Sequence, residues 1–345
     1  MTSMQKHILP GSASIREALE KLNTAGRHLT VFVTDSDGKL IGSITDGDIR
    51  RGLLGGRDLS SAAAEVMNRA PRSLPEGREG TEVLDELRRR GIKLMPIVDE
   101  MGRVQRVVDL DEVRSILPVE ALIMAGGRGE RLRPYTDELP KPLIPVGGKP
   151  IIEHALGLLV RHGIQRVSIS VNYLREKIID HLGDGARFGL TIEYVHEDAP
   201  LGTAGALALL GPAVHDTLLM MNSDLLTDVA LDRMYRRFRD SGASLAMATT
   251  DHHVSLPYAV MDLDGDRVLS FREKPSFAFP CNAGIYFMKR SAAQLVPKGI
   301  TYNATDLVQD LLDRRDTLVA FPITGYWLDI GKHEDLQRAR REHGQ

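Results

Sequence analysis

Residues 124–154 read MAGGRGERLRPYTDELPKPLIPVGGKPIIEH, and a short apolar run, Val119 to Met124, leads directly into them. Such a run, with glycines following at once, predicts a buried parallel strand that feeds a ligand-binding loop. Gly126, Gly127 and Gly129 let the backbone approach phosphate closely and turn N–H groups toward it. Arg128, Arg131 and Arg133 add planar cationic forks suited to phosphate oxygens. Farther along, Pro140 and Pro142 stiffen the chain around a single ammonium group, Lys141. A lysine held in that way can offset charge that builds on a reacting phosphorus without forming a covalent bond. The loop has neither the GKS/T ending of a Walker A motif nor a GxGxxG spacing.

Outward from this loop, strand candidates recur at Val167–Val171, Thr191–Val195 and Leu218–Met221. Helical patterns lie between or beside them at Pro150–Arg161, Leu174–His181, Gly202–Leu210 and, near the end, Glu334–Glu342. Alternating strands and helices predict an α/β fold, a Rossmann-like, mostly parallel sheet covered on both faces. Ligands of such sheets sit beyond the carboxyl ends of the strands. Asp224 lies just past an apolar strand, at that edge, and Asp329 ends another short apolar segment. In isolation an aspartate so placed is more often a helix cap or turn residue, while Mg²⁺ needs only one or two protein carboxylates.

The first part of the chain has a different organisation. VFVTDSDGKLIGSITDGDIRR (31–51) and MPIVDEMGRVQRVVDLDEVRS (95–115) form a weak repeat with a period near 63 residues. Each copy runs strand, acidic-glycine turn, strand and acidic helix start, and amphipathic helical patterns precede both, at Ser14–Thr24 and Thr81–Arg90. Two such copies burying their faces together make one small α+β domain. Pro118 marks the junction, giving domains 1–118 and 119–345.

Composition narrows the function classes. With 42% hydrophobic and 26% charged residues, the 345-residue chain has ordinary globular make-up, and its net charge of −3 offers no electrostatic case for nucleic acid. No apolar run approaches the ~20 residues that cross a bilayer, and the first residues lack a secretory pattern. A cytoplasmic, membrane-free protein is expected. Cys281 is the single cysteine, so neither a disulfide framework nor a cysteine-based zinc site is expected, and the eleven histidines contain no HExxH pair. His252-His253 reads as a surface turn.

The 124–154 stretch resembles the signature of the sugar-phosphate nucleotidyltransferases, particularly the mannose-1-phosphate guanylyltransferase-like members, and the likeness extends over roughly residues 119–340. The resemblance implies that a nucleoside triphosphate and a sugar 1-phosphate react to give a nucleotide sugar and pyrophosphate. It makes Arg131 and Lys141 the groups that stabilise the transferring phosphoryl, and Asp224 and Asp329 the Mg²⁺ ligands. Ala125, Gly126, Gly127 and Gly129 would hold the triphosphate. Glu197, Gly202, Thr203 and Ala204, in EDAPLGTAGAL (197–207), would hold the nucleobase; this form favours GTP, while relatives using UTP share much of it. Glu273 and Lys274 in FREKP would bind sugar hydroxyl and sugar phosphate, with Asn282 and Gly284 in the sugar wall. Ala259 stands where many relatives have glycine, so mannose 1-phosphate and glucosamine 1-phosphate both remain open. Non-catalytic regulatory relatives usually lose the loop cations or metal carboxylates, and this chain keeps all four. After Asp329 no hexapeptide repeat follows, so an attached acyltransferase is not expected.

The 31–51 and 95–115 copies resemble a pair of CBS motifs, which commonly bind adenine nucleotides. Gly42, Ile44, Thr45 and Asp48 keep the ribose-and-phosphate pattern; in the second copy Gln105 and Val108 replace the glycine and threonine, leaving Asp111. Thr45, Asp48 and Asp111 are the residues expected to hold a regulatory AMP or ATP, with at most one fully equipped site. The resemblance also implies a homo-oligomer.

Overall fold

The computed structural model describes residues 4–26, 28–76, 78 and 80–344. It divides into two compact units, 1–118 with 160–163, and 119–159 with 164–345.

In the larger unit, seven strands form one sheet in the spatial order 191–196, 166–171, 120–124, 217–222, 276–289, 245–255 and 318–322. The first four are mutually parallel, 276–289 runs antiparallel to both neighbours, and 318–322 is parallel to 245–255. Glu120–Met124 is thus the strand from which the order departs in both directions, first to 166–171 and later to 217–222. A crevice opens at the carboxyl end of such a switch point, and the glycine-rich loop begins there. The strands are apolar on both faces because helices cover them: Leu122, Leu218, Met220, Tyr286 and Met288 pack with Leu307 and Leu311 of the Ala304–Asp313 helix in a buried cluster. A second cluster lies beneath the loop. Leu132, Ile144, Val146 and Ile151 pack there against Leu226, Leu328, Ile330 and Leu336. This small core joins the glycine-rich loop to segments roughly a hundred and two hundred residues away.

The segment 202–210 forms only a 3₁₀ turn, Gly205–Leu209, in place of the expected helix. Tertiary hydrogen bonds take its backbone groups: Ala204 N–H donates to the Tyr302 carbonyl (3.0 Å), and Tyr302 N–H donates to the Leu201 carbonyl (2.8 Å). Gly202, at φ +79°, lies outside the right-handed helical region, and a helix starting there would need the Leu201 carbonyl for its own first bond.

In the smaller unit, two three-stranded sheets, 8–10/30–34/40–45 and 74–75/94–98/104–109, repeat one pattern of a parallel pair and an antiparallel hairpin. Leu40 N–H donates to Gly102 O (3.0 Å) and Val104 N–H to Gly38 O (3.1 Å), a reciprocal pair that marks the pseudo-twofold relation. Phe32, Leu94 and Val107 are the buried residues shared by the two sheets. The ladders correct the sequence alignment of the copies. Thr34↔Leu40 recurs as Val98↔Val104 and Thr30↔Thr45 as Leu94↔Asp109, a constant offset of 64. Asp109 therefore occupies the place of Thr45, and Glu112, not Asp111, the place of Asp48. The second copy also lacks the expected helix. Residues 110–112 form a turn in which the Asp109 carboxylate accepts from Asp111 N–H (2.9 Å), a local side-chain bond that competes with helix.

Candidate functional site

A cleft of about 540 Å³ opens at the switch point, lined by the glycine-rich loop, Lys141, Glu197, the 200–203 turn, Asn222–Asp224 and Gly331. Gly129 is required in the loop: its φ is +62°, and a Cβ there would meet Thr136 Cγ2 at 2.9 Å and Lys141 Cβ at 3.1 Å. Next to it a 3₁₀ turn, Glu130–Leu132, sinks Leu132 into the lower core. That anchor directs Arg131 across the cleft, where its guanidinium lies against the backbone of Gly331; a Cβ at 331 would meet Nη2 at 3.3 Å. Arg128 lies over the Tyr173 ring at 5.8 Å.

Lys141 opens a 3₁₀ turn behind Pro140, and its ammonium pairs with the Asp224 carboxylate. The Lys141 side chain is only 11% exposed, so the pair is shielded from solvent. Asp224 and Asp329 come together because Leu225–Thr227 and Trp327–Asp329 form a small antiparallel pair, with Leu225 opposite Asp329, and because Ile330 N–H donates to the Asp224 carbonyl (3.1 Å). Burial and the neighbouring Asp224 charge push the Asp329 carboxyl up to about 6, against the opposing pull of Lys141 and Arg131. One oxygen of each carboxylate, Asp224 Oδ1 and Asp329 Oδ1, is buried without a hydrogen-bond partner. Two converging carboxylates with orphaned oxygens, Asp329 also with a raised proton affinity, fit a hard divalent cation such as Mg²⁺.

At the other end of the cleft Glu197 is 4% exposed. Its Oε1 accepts from Ser170 Oγ and its Oε2 from Leu201 N–H (3.0 Å). Each carboxylate oxygen has two acceptor positions, so one on each is left for a ligand. Gly126 belongs beside it, since a Cβ there would meet Glu197 Oε1 at 3.0 Å. Gly202, with φ +79°, has no room for a side chain against Tyr302 O and Asn303 Oδ1, 2.7 and 2.8 Å from the added Cβ.

Ala125, Gly126, Gly127, Gly129, Arg131, Lys141, Glu197, Gly202, Thr203 and Asp224 all line the cleft, and Asp329 adjoins it through Asp224. Thr203 has a structural task as well, its hydroxyl accepting from Ala304 N–H (2.9 Å) at a helix start. Ala204 is fully buried in the sheet core rather than in the cleft wall. Gly284 stands one layer behind the wall; its φ is +73°, and a Cβ would meet Asn222 Nδ2 at 2.7 Å. Asn282 Nδ2 donates to Tyr286 Oη (2.6 Å). Glu273 and Lys274 are exposed on a segment that contributes nothing to the cleft lining. Asn222, Ser223 and Gly331 line it without having been singled out in the sequence; their adjacency to Asp224 and Asp329 was the available signal.

In the smaller unit Thr45 and Asp48 form a capping box at the start of the Asp46–Leu54 helix, and Asp48 pairs with Arg51 (2.6 Å). Asp111 lies 3.0 Å from Lys93 Nζ and 3.5 Å from His28 Nε2. No helix among the described residues is long and apolar enough to cross a membrane.

Residues 120–345 match the nucleotidyl transferase family, and residues 4–55 match the CBS domain. The second copy of the repeat lies outside that CBS match. The chain is 32% identical over 243 residues to the UTP–glucose-1-phosphate uridylyltransferase of Synechocystis sp., covering 65% of this chain and 63% of that protein. It is 31% identical over 226 residues to the mannose-1-phosphate guanylyltransferase of Mycobacterium tuberculosis, with 64% and 63% covered. It thus spans about 63% of the length of these relatives. Among solved structures, HddC from Yersinia pseudotuberculosis gives a TM-score of 0.50 at 26% identity, covering 66% of this chain and all of that one. A chain from Bacillus anthracis gives 0.53 at 26% identity, covering 65% and 95%. The family match takes in well over half of the sequence and includes every cleft residue: the chain belongs to the nucleotidyl transferase family and carries a CBS domain ahead of that match.

Proposed function

We propose that this protein joins a sugar 1-phosphate to a nucleoside triphosphate, GTP in preference to UTP, and releases pyrophosphate. The observation that carries the reading is the group of Arg131, Lys141, Asp224 and Asp329 at the switch-point cleft. It supplies two cations for a reacting phosphoryl and two carboxylates with unused oxygens. A phosphate oxygen of the sugar 1-phosphate attacks the α-phosphorus in line, the α–β bridge bond breaks, and its electron pair leaves on pyrophosphate. The nucleophile is already an anion, so no protein base is needed; positioning and charge compensation supply the rate. Asp224 and Asp329 would hold Mg²⁺, which when bound supplies Lewis acidity and charge on the reacting phosphates. Lys141 and Arg131 offset the charge developing around the α-phosphorus, and the backbone of the glycine-rich loop orients the triphosphate.

Glu197 supports guanine. Its two free acceptor positions suit the adjacent N1–H and N2–H donors of that base, whereas uracil presents one N–H flanked by carbonyl oxygens that a carboxylate repels. Glu197→Gln should lower the GTP-over-UTP ratio of kcat/KM by about 10-fold or more. Pyrophosphate release with the two triphosphates measures it; an unchanged ratio removes Glu197 as the base reader.

The raised Asp329 carboxyl gives a pH dependence. In the unfolded chain this group returns to its ordinary value of 3.8. Its favourable contribution to the metal-free fold is therefore complete below about 3.8 and disappears as pH rises through about 6. A cation between the carboxylates competes with that proton. Mg²⁺ should raise the melting temperature clearly at pH 7.5 and hardly at pH 5. Equal shifts at both would place the cation elsewhere.

A further inference from the structure

We infer that Ser170 is a positioning residue for base choice: its hydroxyl holds the Glu197 carboxylate in the plane where both oxygens meet the N1–H and 2-amino donors of guanine. The inference rests on the reading of Glu197 as the group that meets the base.

Glu197 is fixed at its backbone before its side chain is considered. Its N–H donates to the Val171 carbonyl (3.0 Å), and its own carbonyl accepts from Asn172 Nδ2 (2.7 Å). The carboxylate needs separate control, because the last torsion of a glutamate side chain is broad and roughly two-fold. Two donors supply that control, one on each oxygen: Ser170 Oγ on Oε1, and Leu201 N–H on Oε2 at 3.0 Å. With either alone the group can pivot about the bonded oxygen. With both, the plane is set.

The Ser170–Glu197 pair is built into the interior. Ser170 is 0% exposed and Glu197 4%, and the serine stands between the buried Ile169 and Val171 in the 166–171 strand. A hydroxyl buried there needs a partner, and the one it has is a charged group that lines the cleft. Ser170 does not itself line the cleft, so its effect passes through Glu197. Its carbonyl accepts from Ala125 N–H (3.0 Å), which ties the same residue to the start of the glycine-rich loop. Gly126 follows, and a Cβ there would meet Glu197 Oε1 at 3.0 Å and Asn172 Cβ at 3.4 Å; the glycine keeps the loop from crowding that oxygen.

A carboxylate oriented in this way sorts bases by their adjacent donors. Guanine offers two, hypoxanthine keeps N1–H but lacks the 2-amino group, and uracil offers one N–H between two carbonyl oxygens. With the plane fixed, both oxygens reach guanine at once. Without Ser170, the second bond forms only after the carboxylate has been ordered by the base itself, and part of the binding energy is lost in doing so. ITP needs one oxygen only and is indifferent to Ser170. A serine with a merely structural task would instead affect every nucleotide alike.

The test is calorimetric binding of GTP, ITP and UTP to the intact chain with Mg²⁺ and no sugar phosphate, so that no turnover intervenes. The wild type should bind GTP about 10-fold or more tightly than ITP or UTP. Ser170→Ala should lose about 10-fold for GTP, roughly the worth of one charge-assisted hydrogen bond, and less than about 3-fold for the other two. Ser170→Thr keeps the hydroxyl and suits a strand, and it should return GTP binding to within about 3-fold of the wild type. In turnover the Ser170→Ala loss should fall on KM for GTP and leave kcat within about 2-fold, because the serine touches none of the reacting phosphates. Equal losses for all three nucleotides, or no loss, in folded Ser170→Ala overturn the inference. So does a folded Ser170→Thr that fails to recover GTP binding. Selectivity that responds to Glu197→Gln and not to Ser170→Ala keeps Glu197 as the base reader and removes Ser170. A wild type that does not favour GTP over UTP refutes the reading of Glu197 and the inference with it. Selective GTP binding that Ser170→Ala abolishes, without any pyrophosphate release on adding sugar phosphates, upholds the positioning role and refutes the transfer reaction.

Discussion

Replacing Lys141 with alanine should lower kcat by about 10²-fold or more, with a smaller change in KM for the triphosphate. Glycine-loop amides and Arg131 still bind ground-state phosphates in the variant, whereas the Lys141 ammonium answers charge that grows as the α-phosphorus is attacked. A loss confined to KM would contradict this, since it would mean that lysine binds substrate and transition state equally. The variant should also respond more strongly to Mg²⁺. Lys141 pairs with Asp224 in a shielded position, and its removal leaves two partly buried carboxylates without their nearest ammonium. Breaking one side of such a pair is destabilising, so the metal-free melting temperature should fall and Mg²⁺ should restore more of it than it adds to the wild type.

Asp224→Asn should lower kcat/KM by about 10³-fold, the equivalent of ~4 kcal/mol of transition-state stabilisation. The amide keeps the size of the side chain but not its charge, and Asp329 alone remains to hold the cation. Asparagine also removes the like charge that helps raise the Asp329 carboxyl. Lys141 loses its paired carboxylate but keeps the neighbouring Asp329, so the metal-free fold should lose less stability than in Lys141→Ala, while the melting shift produced by Mg²⁺ largely disappears. A variant that keeps both its activity and its Mg²⁺ shift would remove Asp224 from the metal site.

How much of this was legible in the sequence depended on whether the signal was local. The 120–124 strand and the loop after it could be read because an apolar run followed by glycines leaves few alternatives, and the structure puts that loop at the switch point. The convergence of Asp224 and Asp329 has no local signal. It depends on the 225–227 and 327–329 pairing, and only resemblance to a family suggested it beforehand. The helix expected over 202–210 failed for the converse reason: its small apolar residues suit a helix, but Tyr302 N–H takes the Leu201 carbonyl and Gly202 turns to a positive φ. Asp111 was matched to Asp48 because both are aspartates near a repeat end; the ladder, which counts residues, gives that place to Glu112.

The most direct measurement is pyrophosphate release by the wild type with Mg²⁺, crossing four nucleoside triphosphates against mannose, glucose, glucosamine and N-acetylglucosamine 1-phosphates. Rapid release with GTP and one of these sugars, abolished by chelation of the metal, is the predicted result. Absence of release in every combination, from folded protein that still binds a nucleoside triphosphate, would contradict it.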